Sequence, residues 1–426
     1  MTRTFAASMI LTACLASGTP AVHTQSTAGL TAVTGARLVD LGKTPGVSNA
    51  VILIRDGRVV QSGPPATVKV PEGAHTVDLG GRFVLPGLIS AHVHMSNAVT
   101  VEAQLGIYAR YGITSVLSLG GEPAPAFQAR AAQATRPLAR ARLFLAGDII
   151  ASATPEAART DVARVAASRP DIIKIRVDDN LGTAPKMPPE VFRAVIDEAH
   201  RHGLRVAAHV FYLDDAKALL RAGVDMIAHS VRDRDIDAEF IALMKARNIP
   251  YCPTLTRELS TFVYESTPAF FEDPFFLREA DPAVVASLKE PARQQAMGKS
   301  KSAQAYKAAL VVAERNLKAA VDAGLLVVMG TDSGPFPERF QGYFEQVELT
   351  MMATAGLTPA QVLRAATVDA ARALKLPDAG TLAPGSWADF VVLDRNPLED
   401  ILHTRSIHSV WSAGGAVQPA ARRGPS

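Results

Sequence analysis

The sequence predicts an α/β fold, a (β/α)8 TIM barrel with a small discontinuous β-sandwich made from both chain ends, and three observations support it. Between residues 85 and 377 short apolar strands alternate with helical segments, the pattern of parallel βαβ units. The flanking stretches 27–84 and 378–420 are instead rich in strands and turns, so they are expected to pair with each other. Polar side chains stand within or just after several of the apolar strands, at the strand ends where a barrel of this kind carries its chemistry.

Residues 1–26 have an Arg at position 3, an apolar run over 5–15 and small residues beyond, the layout of a secretory signal too short to span a bilayer. They are excluded from the fold, and an exported protein, periplasmic or secreted, is expected. Leu11-Thr12-Ala13-Cys14 resembles a lipoprotein cleavage box, which would put a lipid anchor on Cys14; ordinary cleavage near 21–26 is the alternative. With that leader removed Cys252 is the one cysteine left, so no intrachain disulfide is expected. No other segment reads as a membrane span. The net charge of +3 is spread without basic blocks, which argues against nucleic acid as a partner and leaves a small-molecule substrate. Association into homo-oligomers is expected.

Strands are predicted at 31–38, 50–55, 59–61 and 76–79, with Asp56-Gly57 as a hairpin turn. The run 83–94 follows, and Pro86-Gly87 interrupts any element before it. The run ends in His92-Val93-His94, where a period of two puts both imidazoles on one strand face. A bare pair of this kind is more often a packing or surface pair than a metal site. Further strands are expected at 113–119, 142–146, 171–177, 205–210, 225–229, 249–254 and 325–330, completing eight. Helices are expected between them, among them 189–201, 238–247 and 214–222, the last stopped by Gly223.

His92, His94, His209, His229 and Asp332 stand at these strand ends, and Lys174 stands within the fourth strand. Any one of them could be a hydrogen-bonded core residue. Together, four of ten histidines at successive barrel positions, with a lysine and a carboxylate, point to a metal centre, because buried polar groups need partners and these types satisfy one another best around a cation.

On these residues, on Pro86-Gly87 through His94, on the spacing of twenty between His209 and His229, and on Gly330-Thr331-Asp332-Ser333-Gly334, the chain resembles the amidohydrolase superfamily. Within it the likeness is to the imidazolonepropionase-like and Xaa-Pro dipeptidase-like branch with a binuclear metal centre. The resemblance implies two divalent metal ions, zinc by preference, with His92, His94 and Asp332 on one, His209 and His229 on the other, and Lys174 between them as a carbamate formed with carbon dioxide. It implies an amidohydrolase that cleaves a small amide, a dipeptide or N-acyl amino acid, by a metal-bridging hydroxide with Asp332 as general base and acid. A lactone, ester or organophosphate hydrolase on the same site is the alternative, and a catalytically inactive binding relative is the alternative from another class.

The chain departs from that branch in places. Residues 147–170 hold no histidine where a Gly-Gly-His segment is usual, Phe211 stands where tyrosine is usual with Tyr212 next to it, and Gln341-Gly342 replaces a His-Gly pair. Tyr212 is a candidate for the substrate carbonyl, and Arg176 and Arg257 for a substrate carboxylate, with a surface ion pair as the plainer reading of each arginine. The stretch 256–300 is an insertion rich in phenylalanine. It reads as a lid with an apolar pocket, as a helical hairpin burying its own rings, or as a subunit contact. Cys252 reads as buried packing.

Overall fold

The structure, a computed structural model, describes residues 29–418 apart from 40, 42–45, 97–98 and 135–137. The expected leader and Cys14 lie outside the described residues. Among those described, the first strands are β1 (Leu30–Leu38), β2 (Ala50–Arg55), β3 (Arg58–Gly63), β4 (His75–Asp78) and β5 (Phe83–Pro86). The middle of the chain forms β6 (Leu88–Val93), β7 (Ile113–Ser118), β8 (Arg142–Leu145), β9 (Ile173–Val177), β10 (Val206–Val210) and β11 (Met226–Ile227). The last strands are β12 (Phe390–Leu393), β13 (Ile407–Ser412) and β14 (Gly415–Ala416).

Both chain ends meet in one eight-stranded sheet, ordered β14-β13-β12-β5-β1-β2-β3 with β4 alongside β1. The hairpin between β2 and β3 turns at Asp56 and Gly57, both at positive φ, which suits the right-handed twist of the strands it joins. β1 carries β4 on its first half and β5 on its second, and its register breaks between Val33 and Ala36. Gly35 at that break has φ +64, and a Cβ there would fall 2.4 Å from Asp78 Oδ1. Only glycine fits such a bend. Val33, Ile52, Val84, Phe390 and Trp411 share the apolar core of this sheet.

The middle strands form two parallel sheets, β6-β7-β8 and β11-β10-β9. Single parallel bridges continue the order, Ile150 to Ile175, Ile227 to Tyr251, Tyr251 to Val327 and Ser333 to Val93. The strands expected at 249–254 and 325–330 are therefore present as bridge positions and not as ladders. Pro250 and Pro253 bracket Tyr251 and Cys252 and lack the N–H that a ladder needs. Helices pack between the strands, and Leu213–Ala222 stops at left-handed Gly223, as its sequence predicts.

The 256–300 insertion is a set of short helices whose rings pack against the rest of the chain. Tyr264, Phe271 and Phe276 are buried with Tyr111, Phe340, Tyr343 and Phe344 in one cluster. The Tyr111 hydroxyl donates to the carbonyls of Phe275 and Phe276, at 3.1 Å each. Glu279 takes two hydrogen bonds from Arg110, at 2.6 and 2.7 Å. The insertion does bury its own phenylalanines, with Phe270, Phe271 and Phe276 in mutual ring contact, and it shares them with Tyr111 and the helix Tyr343–Thr354.

One buried ion pair ties the two-ended sheet to the parallel strands. Arg142, on β8, donates to Asp389 at 2.8 and 3.3 Å, and Asp389 also accepts from Ala413 N at 2.6 Å. The guanidiniums of Arg58 and Arg142 lie 3.9 and 3.7 Å from the Trp387 ring. Removing one partner leaves an uncompensated buried charge, so Asp389→Ala is expected to lower stability by about 3–5 kcal/mol. A denaturant titration checks this through the shift in midpoint.

Candidate metal centre

The site begins where β6 meets the segment after Val327. Ala91 N donates to Met329 O, and Thr331 N and Asp332 N both donate to His92 O, at 2.8, 3.0 and 2.9 Å. His94 N completes the seam by donating to Ser333 O at 2.8 Å. The two segments come so close that a Cβ on Gly330 would lie 2.5 Å from Cys252 Sγ and 2.8 Å from His92 N. Cys252 is fully buried there as packing, as expected. Asp332 holds φ +59, a left-handed conformation that a non-glycine residue adopts only when its surroundings enforce it.

Glu345 does the enforcing. Its Oε1 accepts from the hydroxyls of Thr331 at 2.6 Å, Ser333 at 2.8 Å and Ser90 at 3.3 Å, and its Oε2 from Gly342 N at 2.8 Å. One buried carboxylate thereby holds both sides of Asp332 and the strand that bears His92.

Four imidazoles converge at this point. Ring centroids are 4.0 Å apart for His209 and His229, 4.6 Å for His92 and His229, and 5.4 Å for His92 and His94. Ligand atoms of His92, His229 and Asp332 all lie within 4.8 Å of one another. Asp332 Oδ1 is 2.8 Å from His94 Nε2 and 3.4 Å from His92 Nε2, the longer contact lacking hydrogen-bond geometry. Both nitrogens of His92 and the Nζ of Lys174 are buried with no hydrogen-bond partner. Burial, reinforced by neighbouring positive groups, holds His92 and His229 well below the usual histidine range, and burial brings His209 down to about 3. These rings are therefore neutral, with lone pairs to offer. Burial also lowers Lys174 to about 8. Asp332 stays ionised: burial works to raise it, and Arg339 with His94 outweighs that, holding it well below the usual carboxylate range.

Partners on the far side orient each ring. His94 Nδ1 donates to Gly120 O at 3.0 Å, His209 Nε2 to Asp178 Oδ2 at 2.7 Å, and His229 Nδ1 is 2.7 Å from Thr254 Oγ1. This turns His94 Nε2, His209 Nδ1 and His229 Nε2 inward, the arrangement that outer partners impose on metal-binding imidazoles. Nitrogen and carboxylate donors, with three orphaned buried nitrogens among them, fit divalent cations of the zinc type.

Asp178, Thr254, Glu345 and Arg339 are absent from the sequence-derived set. Asp178 could have been found, since it is polar and ends the apolar run that carries Lys174. Arg339, whose Nη1 contacts Asp332 Oδ2, has no local signal.

The candidate substrate contacts fare differently. The Tyr212 hydroxyl donates to Asp179 Oδ1 at 2.8 Å, and among the described contacts none joins it to the histidines. Arg176 is half-exposed, 3.7 Å from Asp178 Oδ2. Arg257 is buried, so the surface ion pair is corrected to a buried one: its Nη1 meets Glu258 Oε1 at 2.9 Å and its guanidinium lies 4.2 Å from the Tyr306 ring. Arg232, fully buried, shares the same Glu258 oxygen at 2.9 Å.

A family model described as the amidohydrolase family matches residues 83–417. The chain belongs to the amidohydrolase family. It is 26% identical over 400 residues to an imidazolonepropionase of Deinococcus radiodurans, covering 86% of this chain and 92% of that one. It is 40% identical over 101 residues to the imidazolonepropionase of Deinococcus deserti, a match of 23% of this chain and a quarter of the other. Among solved structures, a putative prolidase from Bifidobacterium longum is similar with a TM-score of 0.75 at 25% identity, covering 92% of this chain and 96% of that one. A Xaa-Pro dipeptidase with bound methionine has a TM-score of 0.73 at 22% identity, covering 91% and 99%. The imidazolonepropionase-like and Xaa-Pro dipeptidase-like branch is thus the one this amidohydrolase matches, and the fold likeness carries a TIM-barrel-type domain.

Two predictions follow from the packing around this amidohydrolase's histidines. Gly330→Ala is expected to cost about 1–3 kcal/mol through overpacking, with loss of bound metal, read by thermal melting and metal content. Glu348 is fully buried; burial raises it to about 8, although it accepts from Leu255 N, Thr256 N and Thr256 Oγ1 at 2.8 Å each. A carboxyl raised on folding binds more protons in the folded state, so its contribution is full below about pH 4.5 and is lost as pH rises towards 8. Unfolding midpoints measured between pH 5 and 8 should fall by less in Glu348→Gln than in the wild type.

Proposed function

We propose that this amidohydrolase is a metal-dependent hydrolase of carbon–nitrogen bonds that cleaves a small amide, a dipeptide or an N-acyl amino acid. Family membership supports the hydrolase class. The observation that carries the metal-dependent part is the set of orphaned buried nitrogens of His92 and Lys174 beside ionised Asp332. In this reading His92, His94, Asp332, His209, His229 and Lys174 would together hold two divalent cations. A pair of zinc-type cations bound there supplies Lewis acidity to the amide carbonyl and acidifies the attacking water.

The chain's own residues supply the rest. With its pKa brought to about 8, Lys174 is neutral in roughly a tenth of molecules at pH 7, enough for the amine to add carbon dioxide and release one proton, leaving a carbamate anion. Arg339 keeps Asp332 ionised, so its carboxylate takes the proton of the attacking water and passes it to the departing nitrogen. Arg257, held rigid by Glu258 and Tyr306, is the favoured partner for a substrate carboxylate; Arg176 at the half-exposed mouth is the second. Tyr212, bonded to Asp179, would need to exchange that bond to reach substrate.

The same proposal includes a catalytic barrel over 85–377 with a discontinuous β-sandwich from 27–84 and 378–420, export directed by residues 1–26, and association into homo-oligomers.

A metal-supplemented panel of dipeptides, N-acyl amino acids and lactones tests the activity. Turnover is expected on the amides, lost on chelation, and reduced at least a thousandfold in Lys174→Ala and Asp332→Asn with the melting profile kept. Wild-type rates in either variant would remove the proposed roles, and turnover of the lactones alone would move the substrate class.

A further inference from the structure

We propose that the open-mouthed cavity between the 256–300 insertion and the loop following Asp332 is a specificity pocket for an apolar, ring-sized group on the acyl side of the substrate. The proposal rests on the amide-hydrolase reading and adds to it a class of acyl group. Three separate segments build the walls: Ile107 and Tyr111 beside the first barrel strand, Phe276 and Val284 of the insertion, and Phe336 and Phe340 of the loop. The cavity volume is about 130 Å3. An apolar cavity of roughly 150 Å3 holds one benzene ring, so the size suits a phenyl or a short branched alkyl group.

The rim shows the same preference. Val99 and Phe336, both lining this cavity, expose 50% and 55% of their surface. Large apolar side chains gain by burial at roughly 25 cal/mol per Å2, and two left open at one mouth mark a place where an apolar ligand can cover them.

The charged groups in the wall already have partners. Glu279 is held by Arg110, Asp281 accepts from Ala283 N at 2.9 Å to cap the helix Pro282–Leu288, and Arg339 is on Asp332. None of the three asks for a polar ligand.

The position connects the cavity to the metal centre. Arg339 lines the cavity and touches Asp332. Gln341 lines it and donates to His94 O at 3.1 Å. Gly334, also in the wall, comes so near His94 that a Cβ would stand 2.1 Å from the His94 carbonyl oxygen. The cavity and the histidine cluster therefore share the loop 334–341. The segment that carries Arg257 packs against the same loop, since Ser260 Oγ donates to Arg257 O at 2.7 Å and accepts from Arg339 Nε at 3.0 Å.

The test uses the metal-loaded full chain and two filling variants, Val284→Trp and Ala280→Trp, each accepted only if its melting profile matches the wild type. Binding of 4-fluorophenylacetate is followed by fluorine NMR, and kcat/KM is measured for N-phenylacetylglycine and N-acetylglycine. The expected result is that either variant weakens probe binding at least tenfold and lowers kcat/KM tenfold for the phenylacetyl substrate through KM, with N-acetylglycine unchanged. Probe binding at wild-type strength in both folded variants overturns the pocket. Because binding is read without turnover, loss of probe binding in the variants with no amide hydrolysed by any form supports the pocket and removes the hydrolase reading.

Discussion

A buried polar nitrogen without a partner costs about 1–3 kcal/mol, and His92 alone buries two. Lys174 adds a third at the centre of the same cluster. A fold keeps such a group only if something outside the chain satisfies it or if the surrounding structure is stable enough to carry it. Here the neighbours are other neutral imidazoles and one ionised carboxylate, which is the environment a divalent cation completes. The strain at Asp332, the glycine at 330 and the buried Glu345 all follow from holding that cluster together.

The surrounding contacts act as a set. Gly120, Asp178 and Thr254 each take one nitrogen of an imidazole and so decide which nitrogen faces inward. Glu345 ties Ser90, Thr331 and Ser333 to one carboxylate, so the strand with His92 and the turn with Asp332 cannot shift independently. Arg339 belongs both to this set and to the wall of the apolar cavity, which joins Asp332 to the loop that lines that cavity.

The remainder of the molecule supports this centre from two sides. The sheet shared by the chain ends is fastened to the parallel strands through Arg142 and Asp389. The insertion is fastened through Tyr111 and through Arg110 with Glu279. Aromatic rings from the insertion, Tyr111 and the helix Tyr343–Thr354 make one apolar body, so the insertion packs on the rest of the chain as well as on itself.

The alternation of strands and helices, the hairpin at Asp56-Gly57, the pairing of the β-rich ends and the polar positions within and after the apolar strands were legible in the chain alone, because these depend on local periodicity, turn chemistry and residue type. Tertiary packing settled that the strands expected at 249–254 and 325–330 reduce to bridges, that Arg257 is buried on Glu258, that Tyr212 is bonded to Asp179, and that Asp178, Thr254, Glu345 and Arg339 surround the histidines. Glu345 meets Ser90 across 255 positions of sequence, and His229 meets Thr254 across 25. No local pattern encodes such contacts, since a side chain's partner is set by which segments the packed core brings together.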